Sequence, residues 1–156
     1  MILLPKVLHK TLINHATKAY PIEACGILVG VQKDSNKAII TNVIESANIE
    51  KKDPHHRFEI DPQVHFNTLH ELRRSQKSNV NKEKIIGLFH SHPDASAKPS
   101  SVDISLAFEP YLIWIIISVF ERQVRDTGAF IFDPGVKTFD KIPLKTTCGK
   151  HPNVSI

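Results

Sequence analysis

Apolar and polar positions alternate with helical spacing near the start of the chain. The apolar positions between residues 6 and 19 are Val7, Leu8, Leu12 and Ile13. A spacing of three to four residues gathers these side chains on one face, which predicts an amphipathic helix that ends before Pro21.

Two runs rich in β-branched residues follow this helix. Residues 25–31 and 37–44 are joined by Lys-Asp-Ser-Asn, and this combination predicts a β-hairpin. Segment 46–56 is polar and contains Asp53-Pro54, which is typical of an irregular loop. Residues 57–60 have the pattern of a short strand.

A second helix is predicted where Asp61 can cap the first turn and Pro62 can occupy its first position. This helix runs to about residue 77, and residues 78–84 form a polar turn. The side chains expected to face inward are Val64, Leu69 and Leu72.

The second half of the chain is predicted to contain three more strands and a short helix. These strands are 85–89, 111–120 and 128–132, and the helix opens at Ser100 after the loop 93–99. The resulting order, α-β-β-β-α-β-α-β-β, indicates an α+β sandwich with helices covering a mixed sheet. We expect one domain over residues 1–140 and a loosely ordered tail over 141–156.

Composition fits an ordinary globular domain. The 156 residues are 41% hydrophobic and 23% charged, which suits one compact unit. Only Cys25 and Cys148 are present, with no CxxC spacing, so we expect free thiols in the cytoplasm. The apolar run 111–120 is too short to cross a membrane and the N-terminus lacks the pattern of a signal peptide, which predicts a soluble protein with no membrane partner.

Net charge does not indicate a nucleic-acid partner. The formal charge is +4 and the pI is near 9.1. The basic residues are scattered in short pairs, however, without the dense stripe interleaved with aromatic residues that nucleic-acid binding requires. An acidic partner remains compatible with this charge, and so does a homodimer.

His90 and His92 are the first candidates for chemistry. Residues i and i+2 of a strand point to the same face, so both imidazoles can converge on one point at the end of strand 85–89. Two histidines and a carboxylate form the usual three-residue set of a catalytic zinc site, although other divalent ions can use it. The His-x-His pattern alone is more typical of hydrogen-bonded surface histidines.

Ser100 and Asp103 follow at a fixed distance from this pair. Taken alone, Ser100-Ser101-Val102-Asp103 is a capping box that starts a helix. The four positions together form H-x-H-x7-S-x-x-D, and a capped helix start is also a rigid platform from which Asp103 can reach a metal.

The segment FHSHPDASAKPSSVD resembles the signature of the JAMM metalloproteases, the catalytic members of the MPN-domain family. Upstream, YPIEACGILVG resembles the segment that supplies the catalytic glutamate of that family, and HHRFEIDPQ resembles its prokaryotic members. The resemblance covers residues 5–133. It implies an MPN fold with a mixed central sheet flanked by helices, a layout similar to that of cytidine deaminases.

The resemblance also implies roles for individual residues. His90, His92 and Asp103 would bind one Zn²⁺ ion, Glu23 would be the general acid and base, and Ser100 would hydrogen-bond the oxyanion. Without the resemblance, Glu23 is an unremarkable glutamate at a helix end.

Compact prokaryotic members of the family act on ubiquitin-like proteins. By resemblance, the substrate would be a ubiquitin-like or sulfur-carrier protein with a C-terminal Gly-Gly tail, cut at an isopeptide or a linear peptide bond. The tail would lie extended beside an exposed strand.

Three other functions fit parts of the pattern. RadC-like hydrolases share the metal motif, but they usually have asparagine where this chain has Ser91. Zinc nucleobase deaminases need H-x-E and P-C-x-x-C, which are both absent here. A non-catalytic MPN scaffold typically lacks one or more ligands, whereas this motif is complete.

Overall fold

The structure is a computed structural model that describes residues 1–34, 37–75, 82–107 and 109–148. These residues form eight strands and three helices. In chain order the elements are β1 (Ile2–Pro5), α1 (Lys6–Ala19), β2 (Cys25–Asp34), β3 (Lys37–Ser46), α2 (Pro62–Ser75), β4 (Lys84–Pro93), α3 (Ser101–Leu106), β5 (Ile113–Phe120), β6 (Gln123–Asp133), β7 (Thr138–Ile142) and β8 (Leu144–Thr147).

All eight strands belong to one mixed sheet in the order β7-β6-β5-β4-β2-β3-β1-β8. The β4–β5, β1–β3 and β1–β8 pairs are parallel, and the other pairs are antiparallel. Strands β7 and β8 form opposite edges of the sheet, yet only Pro143 separates them in the chain. The sheet must therefore curve until both edges lie within reach of Pro143, whose carbonyl accepts a 2.7 Å hydrogen bond from Ile2 N.

Helix α1 packs against one face of this sheet. Its buried side chains, Leu8, Leu12 and Ala16, belong to the main hydrophobic cluster together with Phe89 of β4 and Ile115 of β5. Strand β5 is buried from Ile113 to Val119 because α1 covers one face and a second cluster around Trp114 covers the other. The centre of the sheet, with β2, β4 and β5 side by side, is thus packed in the hydrophobic core.

Several predicted elements differ from the structure. Residues 57–60 do not form a strand, because only Ile60 pairs, in a single bridge with Asn48. On α2, Thr68 is buried and Leu69 is 36% exposed. The inward prediction for Leu69 was therefore wrong, and the Thr68 hydroxyl tolerates burial because it donates to Val64 O at 2.8 Å.

The ends of the chain also differ from the prediction. Strand β1 was missed, and residues 141–147 are not loose: they complete β7 and form β8, which pairs with β1 along its whole length. Strands of only four or five residues are too short to show a clear period, and they gain their order from backbone pairing, which the hydrophobic pattern does not reveal. Residues 149–156, the hairpin residues 35 and 36, and the predicted turn residues 78–81 lie outside the described residues.

None of the helices in the described parts of the chain is long and apolar enough to span a membrane.

Candidate metal centre and active site

The two histidines lie at the carboxyl end of β4, in the middle of the sheet. His90 pairs with Cys25 of β2 on one side and with Ile116 of β5 on the other. The His90 and His92 side chains emerge on the same face because they are two residues apart in a strand. The loop after Pro93 then returns the chain so that the start of α3 faces both imidazoles.

His90, His92 and Asp103 form a tight buried group. His90 Nε2 lies 3.0 Å from Asp103 Oδ1, and His92 Nε2 lies 3.2 Å from Asp103 Oδ2. The two Nε2 atoms are 2.9 Å apart. All three side chains are buried, with His90 completely so.

This arrangement fits a tetrahedral metal ion. Zinc–nitrogen bonds of about 2.0–2.1 Å in a tetrahedron separate neighbouring ligand atoms by about 3.3 Å. The three ligand-atom separations, 2.9 to 3.2 Å, are close to that value. Within the described residues, these three side chains are the one group of His, Cys, Asp or Glu that could hold a metal ion.

The imidazoles are oriented by their surroundings. Ser96 O lies 2.8 Å from His92 Nδ1, so Nδ1 carries a proton and Nε2 is the ring nitrogen that faces Asp103 and the candidate metal position. Phe58 stacks on the His90 ring at 4.5 Å, and Trp114 meets the same ring edge-on at 5.7 Å. His90 Nδ1 has no hydrogen-bond partner within the described part of the chain, so aromatic packing holds this ring.

Asp103 belongs both to the capping box of α3 and to the candidate metal site. Ser100 Oγ accepts from Asp103 N at 3.1 Å, while Ser100 N and Oγ donate to Asp103 Oδ2 at 2.6 and 2.7 Å. The capping box predicted for this segment is therefore formed. Burial favours the protonated acid, but hydrogen bonds from both histidines outweigh it and hold the Asp103 pKa well below its usual range.

Glu23 lies beside this group, in the segment between α1 and β2. Its main chain is anchored by the loop before α2: Glu23 N donates to Pro54 O at 2.8 Å, and Asn48 Nδ2 donates to Glu23 O at 3.1 Å. The residue is 4% exposed. Burial, followed by the negative charges of Asp103 and Asp53, raises the Glu23 pKa to about 9.

The other histidines of this region stay outside the group. His55 Nδ1 lies 2.8 Å from Pro21 O, and His56 Nδ1 lies 2.9 Å from Asp53 Oδ1. Both side chains are exposed, as are His65 and His70 on α2.

Some contacts around the site were not foreseen from the sequence. Phe58 and Trp114 against His90 come from segments far apart in the chain, and no local pattern links them. Tyr20 Oη donates to both carboxylate oxygens of Asp94, at 3.1 and 2.9 Å, and joins the end of α1 to the loop after His92. Of the residues around the site, only Ser91 could have been selected from sequence, because it lies between the two histidines.

Comparison with known proteins identifies the family. Residues 5–129 match the family described as prokaryotic homologs of the JAB domain. The match covers most of the chain, which therefore belongs to that family. The predicted resemblance to JAMM/MPN proteins is confirmed at this level.

Curated relatives are distant and differ in length. A CysO-cysteine peptidase from Mycobacterium tuberculosis is 27% identical over 131 residues, which cover 84% of this chain and 82% of that protein. A desampylase from Haloferax volcanii is 28% identical over 98 residues, 63% of each protein. Tail tip assembly protein K of Escherichia phage N15 is 26% identical over 111 residues, 71% of this chain. The chain spans 63% of the desampylase and 38% of the phage protein.

Solved structures agree with the observed fold. A protein from Desulfitobacterium hafniense is 28% identical and superposes with a TM-score of 0.78 over 94% of this chain and 93% of that chain. A JAB1/MPN domain protein from Archaeoglobus fulgidus is 19% identical, with a TM-score of 0.56 over 94% of this chain and 98% of that chain. The predicted MPN fold of α+β class is thereby confirmed.

Proposed function

We propose that this protein is a zinc-dependent metalloprotease that hydrolyses the peptide or isopeptide bond after the C-terminal Gly-Gly of a ubiquitin-like or sulfur-carrier protein. The observation that carries the proposal is the convergence of His90, His92 and Asp103 beside a buried glutamate. A buried carboxylate and two oriented imidazoles suit a dication, and a nearby carboxyl group suits proton transfer.

The metal would be held by Nε2 of both histidines and by the Asp103 carboxylate. When bound, zinc would supply Lewis-acid activation of water and of the scissile carbonyl at neutral pH. The cation would also favour the ionised form of Glu23, whose pKa is raised in its absence.

Glu23 is assigned the proton transfers. Its carboxylate would accept a proton from the attacking water as the carbon–oxygen bond forms. The same proton would then pass to the leaving amine as the carbon–nitrogen bond breaks, so that the carboxylate is regenerated.

Ser100 is assigned to the oxyanion. Its hydroxyl donates to Asp103 Oδ2, which also accepts from Ser100 N. The backbone bond keeps Asp103 in place when the hydroxyl turns toward the substrate oxygen. A donor at this point would stabilise the developing negative charge.

The relatives support the class of substrate. Their names, desampylase and CysO-cysteine peptidase, denote hydrolases that act on ubiquitin-like or sulfur-carrier proteins. An apolar cavity of about 340 Å³ adjoins His90 through Phe58 and Trp114, and it would offer space for an extended tail beside the candidate metal site. Both cysteines are free, which suits the reducing cytoplasm expected from the sequence.

Metal content and cleavage test the proposal together. We expect one zinc ion per chain by elemental analysis and cleavage of a ubiquitin-like carrier extended beyond its Gly-Gly, with cleavage abolished by a chelator and restored by zinc. Bound zinc without cleavage of any carrier would contradict the proposed class of substrate. Absence of zinc would favour a non-catalytic scaffold.

Ser100→Ala tests the oxyanion role. We expect kcat to fall by roughly 10²- to 10³-fold, as for loss of an oxyanion donor, with zinc retained. The lost cap should also lower the free energy of unfolding by about 1 kcal/mol. Ser101→Ala, at an exposed neighbouring position, is the matched control and should leave kcat unchanged. A Ser100→Ala variant with normal kcat would reduce this serine to a helix cap.

A further inference from the structure

The distance between Glu23 and the two histidines depends on the hydrogen bonds between the segment before β2 and the end of β4. Glu23 precedes β2, and the two histidines end β4. The β2–β4 ladder reaches only as far as the Cys25–His90 pair. Ala24, which directly follows Glu23, therefore lies beyond the last residue pair of the ladder.

Ser91 continues the connection past this point. Ser91 N donates to Ala24 O at 2.9 Å, and Ala24 N donates to Ser91 Oγ at 2.8 Å. Both polar groups of the Ala24 main chain are thus bound by one residue. Ser91 is completely buried and Ala24 is 2% exposed, so no solvent competes for these bonds.

The Ser91 side chain does not belong to the metal group. Alternation along β4 points it to the sheet face opposite the His90 and His92 side chains. Its hydroxyl accepts from Ala24 N on that face, so Ser91 can affect catalysis only through the segment it holds.

From this geometry we infer that Ser91 is a positioning residue, which fixes the Glu23 carboxyl group relative to the two histidine ligands. The inference rests on the proton-transfer role proposed for Glu23. Ser91 stands between the two ligands in the chain, and its partner Ala24 is next to Glu23. One residue therefore ties the proposed base directly to the metal-binding strand.

The opposite side of Glu23 is held independently. Pro54 O accepts from Glu23 N, and Asn48 donates to Glu23 O. Glu23 is thus fixed between the loop before α2 and β4. Without the Ser91 hydroxyl, β4 would hold Ala24 only through the bond from Ser91 N to Ala24 O, and Ala24 N would be buried without its acceptor.

Three variants of Ser91 test this function. Ser91→Ala should lower kcat by roughly 10- to 100-fold, the cost expected for a misplacement of about 1 Å. KM should stay within about twofold, because the variant touches no substrate group, and the zinc content should stay at one per chain. Ser91→Thr retains a hydroxyl and should recover most of kcat, while Ser91→Cys, a weaker acceptor of similar shape, should be intermediate.

Thr68→Val is the matched control. It removes another buried hydroxyl, one that bonds within α2 away from the site. We expect it to lower stability without lowering kcat. Equal loss of kcat in Thr68→Val and Ser91→Ala, or a normal kcat in Ser91→Ala, would overturn the inference.

Amide hydrogen exchange separates this inference from the proposed function. In Ser91→Ala we expect the Ala24 amide to exchange at least about tenfold faster than in the wild type, while the amides of α2 are unchanged. This measurement needs no substrate. If the wild type cleaves no carrier, the proposed protease function is wrong. The bond between Ser91 and Ala24 is tested separately, because an unchanged Ala24 exchange rate in Ser91→Ala would show that the hydroxyl does not hold this segment.

Discussion

Glu23→Gln is expected to retain the metal and to lose nearly all turnover, by roughly 10²- to 10⁴-fold in kcat. Glutamine has almost the same shape as glutamate, and the main-chain bonds to Pro54 and Asn48 do not involve the side chain. The variant therefore keeps the packing but cannot accept a proton from water. Elemental analysis and steady-state kinetics on the same sample measure both effects.

A matched glutamate on the surface provides the control. Glu71 lies on α2 with 66% of its side chain exposed, and Glu71→Gln should keep normal kcat and zinc content. An active Glu23→Gln variant would remove the base from the mechanism. If Glu23→Gln also lost zinc, the loss of turnover would be explained by the missing metal and not by proton transfer.

The same substitution changes the pH dependence of stability in the metal-free protein. The Glu23 pKa is about 9 in the folded chain, above its ordinary value of 4.5. The folded state then holds a proton that the unfolded state releases, so the stabilisation present below pH 4.5 is lost as the pH rises toward 9. Glutamine has no such dependence. Urea unfolding at pH 5 and pH 8 should therefore show Glu23→Gln gaining stability over the wild type as the pH rises.

Local sequence pattern predicts the central strands, and it agrees with the grouping of His90, His92 and Asp103, whose role as metal ligands was implied by the family resemblance. The alternation that brings His90 and His92 to one face is a property of any strand, and the cap at Ser100 is formed by residues three positions apart. The loop 93–99 joins these two segments and has a proline at each end.

The rest of the site depends on contacts between distant segments. The burial of Glu23 results from its packing between β4 and the loop before α2, which no local spacing indicates. The same holds for Phe58 against His90. At the edge of the sheet, β8 is ordered by backbone pairing with β1. Backbone hydrogen bonds depend little on the side chains, so the sequence pattern gives only a weak indication of them.

Asp103→Asn is expected to release the metal while leaving the start of α3 intact. Asparagine retains one side-chain oxygen that can accept from Ser100 N or Oγ, so the helix keeps its cap. It loses the negative charge and one of the two oxygens that face His90 and His92. Changes in groups that merely support a ligand cost about 10- to 100-fold in metal affinity, so replacement of the ligand itself should cost at least about 100-fold, with turnover falling in parallel.

A second aspartate separates loss of charge from loss of the metal ligand. Asp133 Oδ1 accepts from Gly135 N at 2.7 Å in an exposed turn, so Asp133→Asn makes the same chemical change in a similar backbone contact. Asp133→Asn should bind zinc with the affinity of the wild type. Zinc titration of both variants, with amide exchange at Asp103 N as the measure of the cap, distinguishes the two roles of Asp103. Normal zinc affinity in Asp103→Asn would make the carboxylate a helix cap alone, and the two histidines would then need another partner to hold a metal.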